Sequence, residues 1–239
     1  MKGIFRISPT GPLPVFTIIL LVGLIILIIP LLVLGIIGAA FSRLGFSWIE
    51  ATAVILLMIL GSFVNIPVWT FQNTVGKTET VTPAVFDAFT GEPIPDDRLT
   101  TGLFLNLGGA VIPFAVSVYL LYELGLLAGE PLLLQVCVVM IIVATITGFS
   151  TKVVPAYGIR TPLLIPAVSA MVTGLLITGG PGLSAAVIAF AGGTMGTILG
   201  ATLFALPAIK KTAIPSISIG GAGMFGAVFL CGLLAALIA

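Results

Sequence analysis

Residues 14–40 read PVFTIILLVGLIILIIPLLVLGIIGAA, an apolar run that carries no charge. The hydrocarbon core of a bilayer takes about 20 helical residues to cross, and this run is longer than that. Lys2 and Arg6 precede it, and Gly38-Ala39-Ala40 has the small-residue form of a signal-peptide cleavage site. The core from Val15 to Ala40 nevertheless far exceeds the roughly 7–15 residues of a signal h-region, so it predicts a retained helix. Pro30 removes one internal hydrogen bond and should loosen it locally.

Composition agrees with that reading. Of 239 residues, 59% are hydrophobic and only 7% charged, and the mean hydropathy is +1.32. A soluble domain covers itself with about 25% charged residues, so this chain is read as an integral membrane protein with a single transmembrane domain over 1–239. It has no histidine, which excludes imidazole bases, serine–histidine and cysteine–histidine pairs, and histidine metal sites. The net charge of +1 and the lack of a basic stripe set nucleic acid aside. Cys137 and Cys231 both lie in apolar runs, where a thiol is most simply a small hydrophobe.

Working outward from residues 14–40, six more apolar runs follow, free of charge but for Glu50 at the start of the first, at about 49–70, 102–122, 132–150, 162–178, 184–206 and 216–238. The expected fold is therefore all-α, with about seven transmembrane helices. Positively charged loops stay on the cytoplasmic side. Alternate loops carry Lys2, Arg6, Lys77, Arg98, Lys152, Arg160, Lys210 and Lys211 on one side against Arg43 alone on the other. That asymmetry predicts the N-terminus inside, Ala239 outside, an odd number of spans and a multi-pass location in the inner or plasma membrane.

Residues 71–101, between spans two and three on the cytoplasmic side, hold Glu79, Asp87, Glu92, Asp96 and Asp97. Val85-Phe86-Asp87-Ala88-Phe89 alternates before Thr90-Gly91 and reads as one arm of a short hairpin lying on the membrane face. The loop is either a solvated cap or a cation-attracting vestibule. The adjacency of Asp96 and Asp97 does not suit a calcium loop, and no metal or cofactor is expected.

Polar and glycine-rich clusters within the spans mark the places where function could reside. The second span holds Gly61-Ser62-Phe63-Val64-Asn65-Ile66-Pro67, read as a kinked, half-unwound helix, and the third opens Asn106-Leu107-Gly108-Gly109-Ala110-Val111-Ile112-Pro113. Pro155, Gly158, Pro162 and Pro166 flank Arg160 and suggest an extended or re-entrant entry to the fifth span. Gly192, Gly196 and Gly200 make consecutive small-xxx-small steps, a helix-packing stripe. Asn65, Pro67, Asn106, Gly108, Gly109, Pro113, Thr202, Gly220 and Gly221 are the candidates for lining a substrate path, with interhelical hydrogen bonding the alternative for the two asparagines. Glu50, Glu123 and Glu130 sit near span ends and read as interfacial. Asn106-Leu107-Gly108-Gly109-Ala110 and Ser218-Ile219-Gly220-Gly221-Ala222 are similar and each opens a span, which suggests a 3+1+3 arrangement of parallel repeats.

These motifs, with Gly193-Thr194-Met195-Gly196-Thr197-Ile198-Leu199-Gly200-Ala201 and Ser218 through Gly223, resemble an uncharacterised prokaryotic membrane family, domain-of-unknown-function family 1614. The resemblance covers most of the chain from about Gly61 onward. It implies an acid after Gly-Ala in the sixth span and another after phenylalanine in the seventh, where this chain has Thr202 and Gly226. Two facing acids would imply an intramembrane aspartyl protease or a cation site; a chain without them would be an altered member.

Three functions are open at this level. The first is a transporter- or channel-like protein for a small solute, its path lined by the asparagines, Thr202 and glycine backbone. The second is a non-catalytic membrane scaffold or lipid-interacting accessory protein, favoured by the lack of membrane acids. The third is a degenerate intramembrane enzyme, for which no catalytic set is visible: Ser169 and Ser218 have no evident partner. Expected partners are membrane lipid, a small solute if a path exists, and further copies of the chain.

Overall fold

A computed structural model describes residues 12–73, 99–128, 132–154, 158–209, 214 and 216–239. Its elements run α1 (Pro12–Ser42), α2 (Trp48–Gly61), β1 (Asn65–Asn73), β2 (Leu99–Asn106), a π-helical turn (Leu107–Val111), α3 (Ile112–Ala128), α4 (Leu132–Ser150), β3 (Lys152–Val154), β4 (Gly158–Arg160), α5 (Leu164–Thr178), α6 (Leu183–Ile209), β5 (Ser216–Ile219) and α7 (Phe225–Leu237). The described residues thus contain seven helices, but the fold is not all-α. Of the expected spans, 49–70, 102–122 and 216–238 are each part helix and part strand.

The physical reason is that short apolar runs read alike as helix or strand. At the end of α2, Ser62 ends the helix and the following NIPVWTFQN is rich in β-branched and aromatic residues, so the chain extends rather than kinks. β1 and β2 pair antiparallel with Asn65 opposite Asn106, and β2 pairs parallel with β5, giving the order β1-β2-β5. Pro67, which has no N–H to give the ladder, sits on edge strand β1 where the register shifts between Pro67 and Trp69. The arm expected at 85–89 and the acids of the 71–101 loop lie outside the described residues; the flanking segments 71–73 and 99–101 pair with each other as the ends of β1 and β2.

Among the described residues, four helical stretches are long and apolar enough to cross a membrane: Ile18–Ser42, Leu107–Gly125, Leu132–Ser150 and Leu183–Ile209. α2, α5 and α7 are shorter, at 14, 15 and 13 residues. Each therefore rises only about 20 Å, against about 40 Å for α6. The chain reverses at every turn, so strands take up the difference at one end of the bundle. There Ile159 of β4, Ile217 of β5, Ile214 and Met224 cover Ala201, Ala205 and Ile209 on the last turns of α6. At the other end the Gly182 N–H donates to the Ile238 carbonyl at 2.8 Å, tying the start of α6 to the close of α7.

α6 is the central helix, packed against α3, α4, α5 and α7. It runs parallel to α4 on its small-residue face: a Cβ on Gly192 would lie 2.7 Å from Val139 Cβ, and one on Gly196 2.7 Å from the Met140 carbonyl. Gly200 lies against the backbone of Ala144. α1 differs, since Ile18–Ile29 is exposed around the helix and only its last turns, with Ala40 and Phe41, join the core together with Leu44 of the turn that follows.

These contacts predict that Gly200→Val, whose side chain has no space before the Ala144 backbone, costs about 1–3 kcal/mol of stability. Gly23→Val on α1, with nothing within 4 Å, should leave stability unchanged. Thermal unfolding of both variants in detergent is the check, and equal melting temperatures would refute the packing assignment.

Candidate functional site

The strand ends of the three-stranded sheet meet at Asn106, the last residue of β2 and 1% exposed. Its Nδ2 donates to the Ser62 carbonyl at 2.7 Å and to Asn65 Oδ1 at 3.0 Å. Its Oδ1 accepts the Gly109 N–H at 2.8 Å, capping the π-helical turn. Ser218 Oγ on β5 donates to the same Asn65 Oδ1 at 2.5 Å. One asparagine side chain thus uses both its N–H groups and its oxygen to join the C-terminal end of α2, strand β1 and the N-terminal end of α3, while Ser218 brings in β5. The Leu107 N–H donates to the Val64 carbonyl at 2.9 Å beside it.

The glycines around this node lie backbone against backbone. A Cβ on Gly108 would strike the Met58 carbonyl, and one on Gly109 the Gly220 carbonyl. Gly220 has φ +74°, in the left-handed region, which lets the chain turn from β5 toward α7. Gly221 closes on Ser218, its N–H donating to the Ser218 carbonyl at 3.1 Å. Asn106 and Ser218, equivalent positions in the two similar motifs, therefore converge on one acceptor, and their strands run side by side in parallel.

The remaining sequence-level candidates are elsewhere. Pro67 lines a cleft of about 440 Å³ on the β1–β2 ladder with Trp69, Gly102 and Phe104. Pro113 is buried in the first turn of α3, where its carbonyl accepts Ser117 Oγ at 2.8 Å, and Ser117 meets Thr194 Oγ1 of α6 at 3.1 Å. Thr202 Oγ1 on α6 is buried without a hydrogen-bond partner, as is Thr147 Oγ1 on α4. A Cβ on Gly226 would meet Leu163 at 2.5 Å. Among the described residues no three Cys, Asp or Glu side chains come together as a metal-binding group.

Two features escape sequence reasoning. Ser62 contributes through its carbonyl, which no side-chain motif signals. The β3–β4 hairpin pairs Lys152 with Arg160 and docks on the 220–224 turn, the Thr161 N–H donating to the Gly223 carbonyl at 3.0 Å. Alternation of Lys152-Val153 and Ile159-Arg160 around Gly158 is the signal that could have located it.

Residues 59–238 match the family model described as Protein of unknown function (DUF1614), so the chain belongs to that family; α1 and most of α2 precede the matched region. No curated protein and no solved structure matches the chain.

The node predicts unequal losses. Asn106→Leu strands the Gly109 N–H and the Ser62 carbonyl, at about 1–3 kcal/mol for each group left unpaired, whereas Ser218→Ala removes one bond worth about 0.5–1.5 kcal/mol. Unfolding in detergent checks this, and a double-mutant cycle between Asn65→Ala and Ser218→Ala should give a coupling energy above about 0.5 kcal/mol. Additive effects would mean that the Asn65–Ser218 contact carries no energy.

Proposed function

We propose that this member of the DUF1614 family is a multi-pass integral membrane protein acting as a non-catalytic, lipid-contacting scaffold, with its N-terminus and strand layer at the cytoplasmic face. The observation that carries this reading is the backbone-to-backbone packing of Gly61 on Gly108 and of Gly109 on Gly220, which fills the region where a solute path would run. Membrane insertion is supported by the four long apolar helices and by the placing of aromatic residues. Trp48, Tyr119 and Tyr122 are exposed toward one end of the bundle and Trp69 on the strands at the other, in the manner of residues at two membrane interfaces. Orientation rests on Lys152 and Arg160 lying at the strand end and Arg43 in the turn at the opposite end, as the distribution of cations along the chain requires.

A solute path is the second reading. In its favour are the buried, unpartnered hydroxyls of Thr147 and Thr202, groups that water or a polar solute would satisfy.

Cysteine labelling in intact membranes separates the two. With Cys137 and Cys231 replaced by alanine, single cysteines at Ala110 and Thr202 should resist a water-soluble maleimide, with lipid-facing Ile28 as the silent control. A cysteine at Arg43 should react from outside the cell, and one at Asn65 only after the inner face is opened. Labelling at both Ala110 and Thr202 would replace the scaffold reading with the solute path, and reversed sidedness would overturn the orientation.

A further inference from the structure

At the end of the bundle away from the strands, α3, the start of α6 and the turn after α1 line a cleft of about 140 Å³. Its floor is apolar: Leu44, Leu120, Leu124 and Val187 line it and are buried. Its polar side chains, Tyr119 and Glu123, both come from α3, where they stand one turn apart and so share a face. The Tyr119 ring is stacked on Phe46 with centroids 5.4 Å apart, which holds it in position while it remains 45% exposed. Glu123 is exposed beside it.

A carboxylate beside an aromatic ring over an apolar floor suits an alkylammonium group, since ring and carboxylate attract the charge and the floor takes the methylene arm. The cleft has room for about four or five water-sized groups at about 30 Å³ each, enough for an aminoethyl head and too little for a sugar or a base. The protein's own cations do not fill it. Among the described residues Arg43 is the cation at this end, in the turn that contributes Leu44 and Gly45, and it forms no ion pair with Glu123. Lys152 and Arg160 belong to the strand end, and α6, running from the cleft at Leu183 to that end at Ile209, is about 40 Å long. The chain ties the other cations far away as well. Lys210 and Lys211 directly follow Ile209, and Lys77 and Arg98 adjoin the paired ends of β1 and β2, where Thr101 donates to the Ile214 carbonyl beside the last turns of α6. Lys2 and Arg6 precede α1, whose other end, about 45 Å away, leads into Leu44. At about 3.5 Å of extended chain per residue, none of these reaches Glu123.

We propose that this cleft is a headgroup site for a zwitterionic, ethanolamine-type phospholipid, whose ammonium lies between the Glu123 carboxylate and the Tyr119 ring. Leu183, exposed at the cleft, and the interfacial level marked by Trp48 and Tyr122 favour a lipid over a free amine, which has no acyl chain to lay against them. The site rests on the membrane-embedded reading given above and names the lipid class that such a scaffold contacts at its outer face, opposite the strand layer.

The test is lipid retention by the full-length protein in nanodiscs of phosphatidylglycerol with a minority of phosphatidylethanolamine, read by native mass spectrometry after release. The wild type should retain phosphatidylethanolamine in preference to phosphatidylglycerol. Glu123→Gln should lower that preference about fivefold and Tyr119→Leu about threefold, as befits a partly exposed ion pair and cation–π contact. Tyr119→Phe, which keeps the ring, and Glu50→Gln, which removes another exposed acid at this end, should leave it unchanged. Glu123→Gln alone is decisive if Tyr119→Leu, which also loses the Phe46 contact, fails to fold. Wild-type preference in Glu123→Gln, or an equal loss with Glu50→Gln, would overturn the site. Displacement of the lipid by millimolar free ethanolamine would assign the cleft to a soluble amine and overturn the lipid. A protein that never enters the nanodisc overturns the membrane reading itself; one that enters without lipid preference overturns only this site.

Discussion

A main-chain amide or carbonyl released from a helix and buried has to be paired within the protein, because burial leaves no water to take it. This fold leaves helical geometry repeatedly, after α2, before α3 and before α7, so that requirement governs the whole strand end. Asn106 meets it most economically, with one side chain serving the carbonyl of Ser62, the amide of Gly109 and the side chain of Asn65. Strand pairing handles the rest: β2, at the centre of its sheet, uses both edges, one on β1 and one on β5. Without the node, the short helices would end in unpaired polar groups.

The other half of the molecule follows a different rule. In α6, small residues let neighbouring backbones approach, and the close approach multiplies dispersion contacts. Gly192, Gly196 and Gly200 face α4, while Gly193 meets Ala170 of α5. Hydroxyls on the same helix are folded back or paired across: Thr197 donates to the Gly193 carbonyl at 2.7 Å and contacts Cys231 Sγ at 3.3 Å. The polar content of α6 therefore serves its packing, with Thr202 the exception.

The helical half was legible in the sequence because length and lack of charge suffice there: 132–150 became α4 at the same limits, and 184–206 lies within α6. The strand half was not, because Asn65 through Thr70 and Gly102 through Asn106 are apolar enough to pass as continuations of helices. What distinguishes them is pairing with residues far away in the chain, such as Ser216 with Gly102, and hydropathy along one segment carries no such information. Asn65 and Asn106 stood out as polar groups in apolar runs, yet their meeting depended on the strands. Arg160 was read as part of an extended entry, but its partner Lys152 became visible only through the hairpin register.

The three-stranded sheet also has a mechanical consequence. β1 is continuous with α2, β2 leads through the π-helical turn into α3, and β5 leads into α7, so the ladder stitches three helices distant in sequence into one body. Sliding any of them along its axis would shear the hydrogen-bonded rows, and a step of one residue would turn each side chain to the wrong face. α4 and α5 have no strand in that sheet and meet their neighbours through smooth small-residue surfaces. α2, α3 and α7 therefore form a frame fixed in register by the ladder, whereas α4 and α5 are placed by the depth of their packing on α6 and by the Thr161 N–H bond to the Gly223 carbonyl.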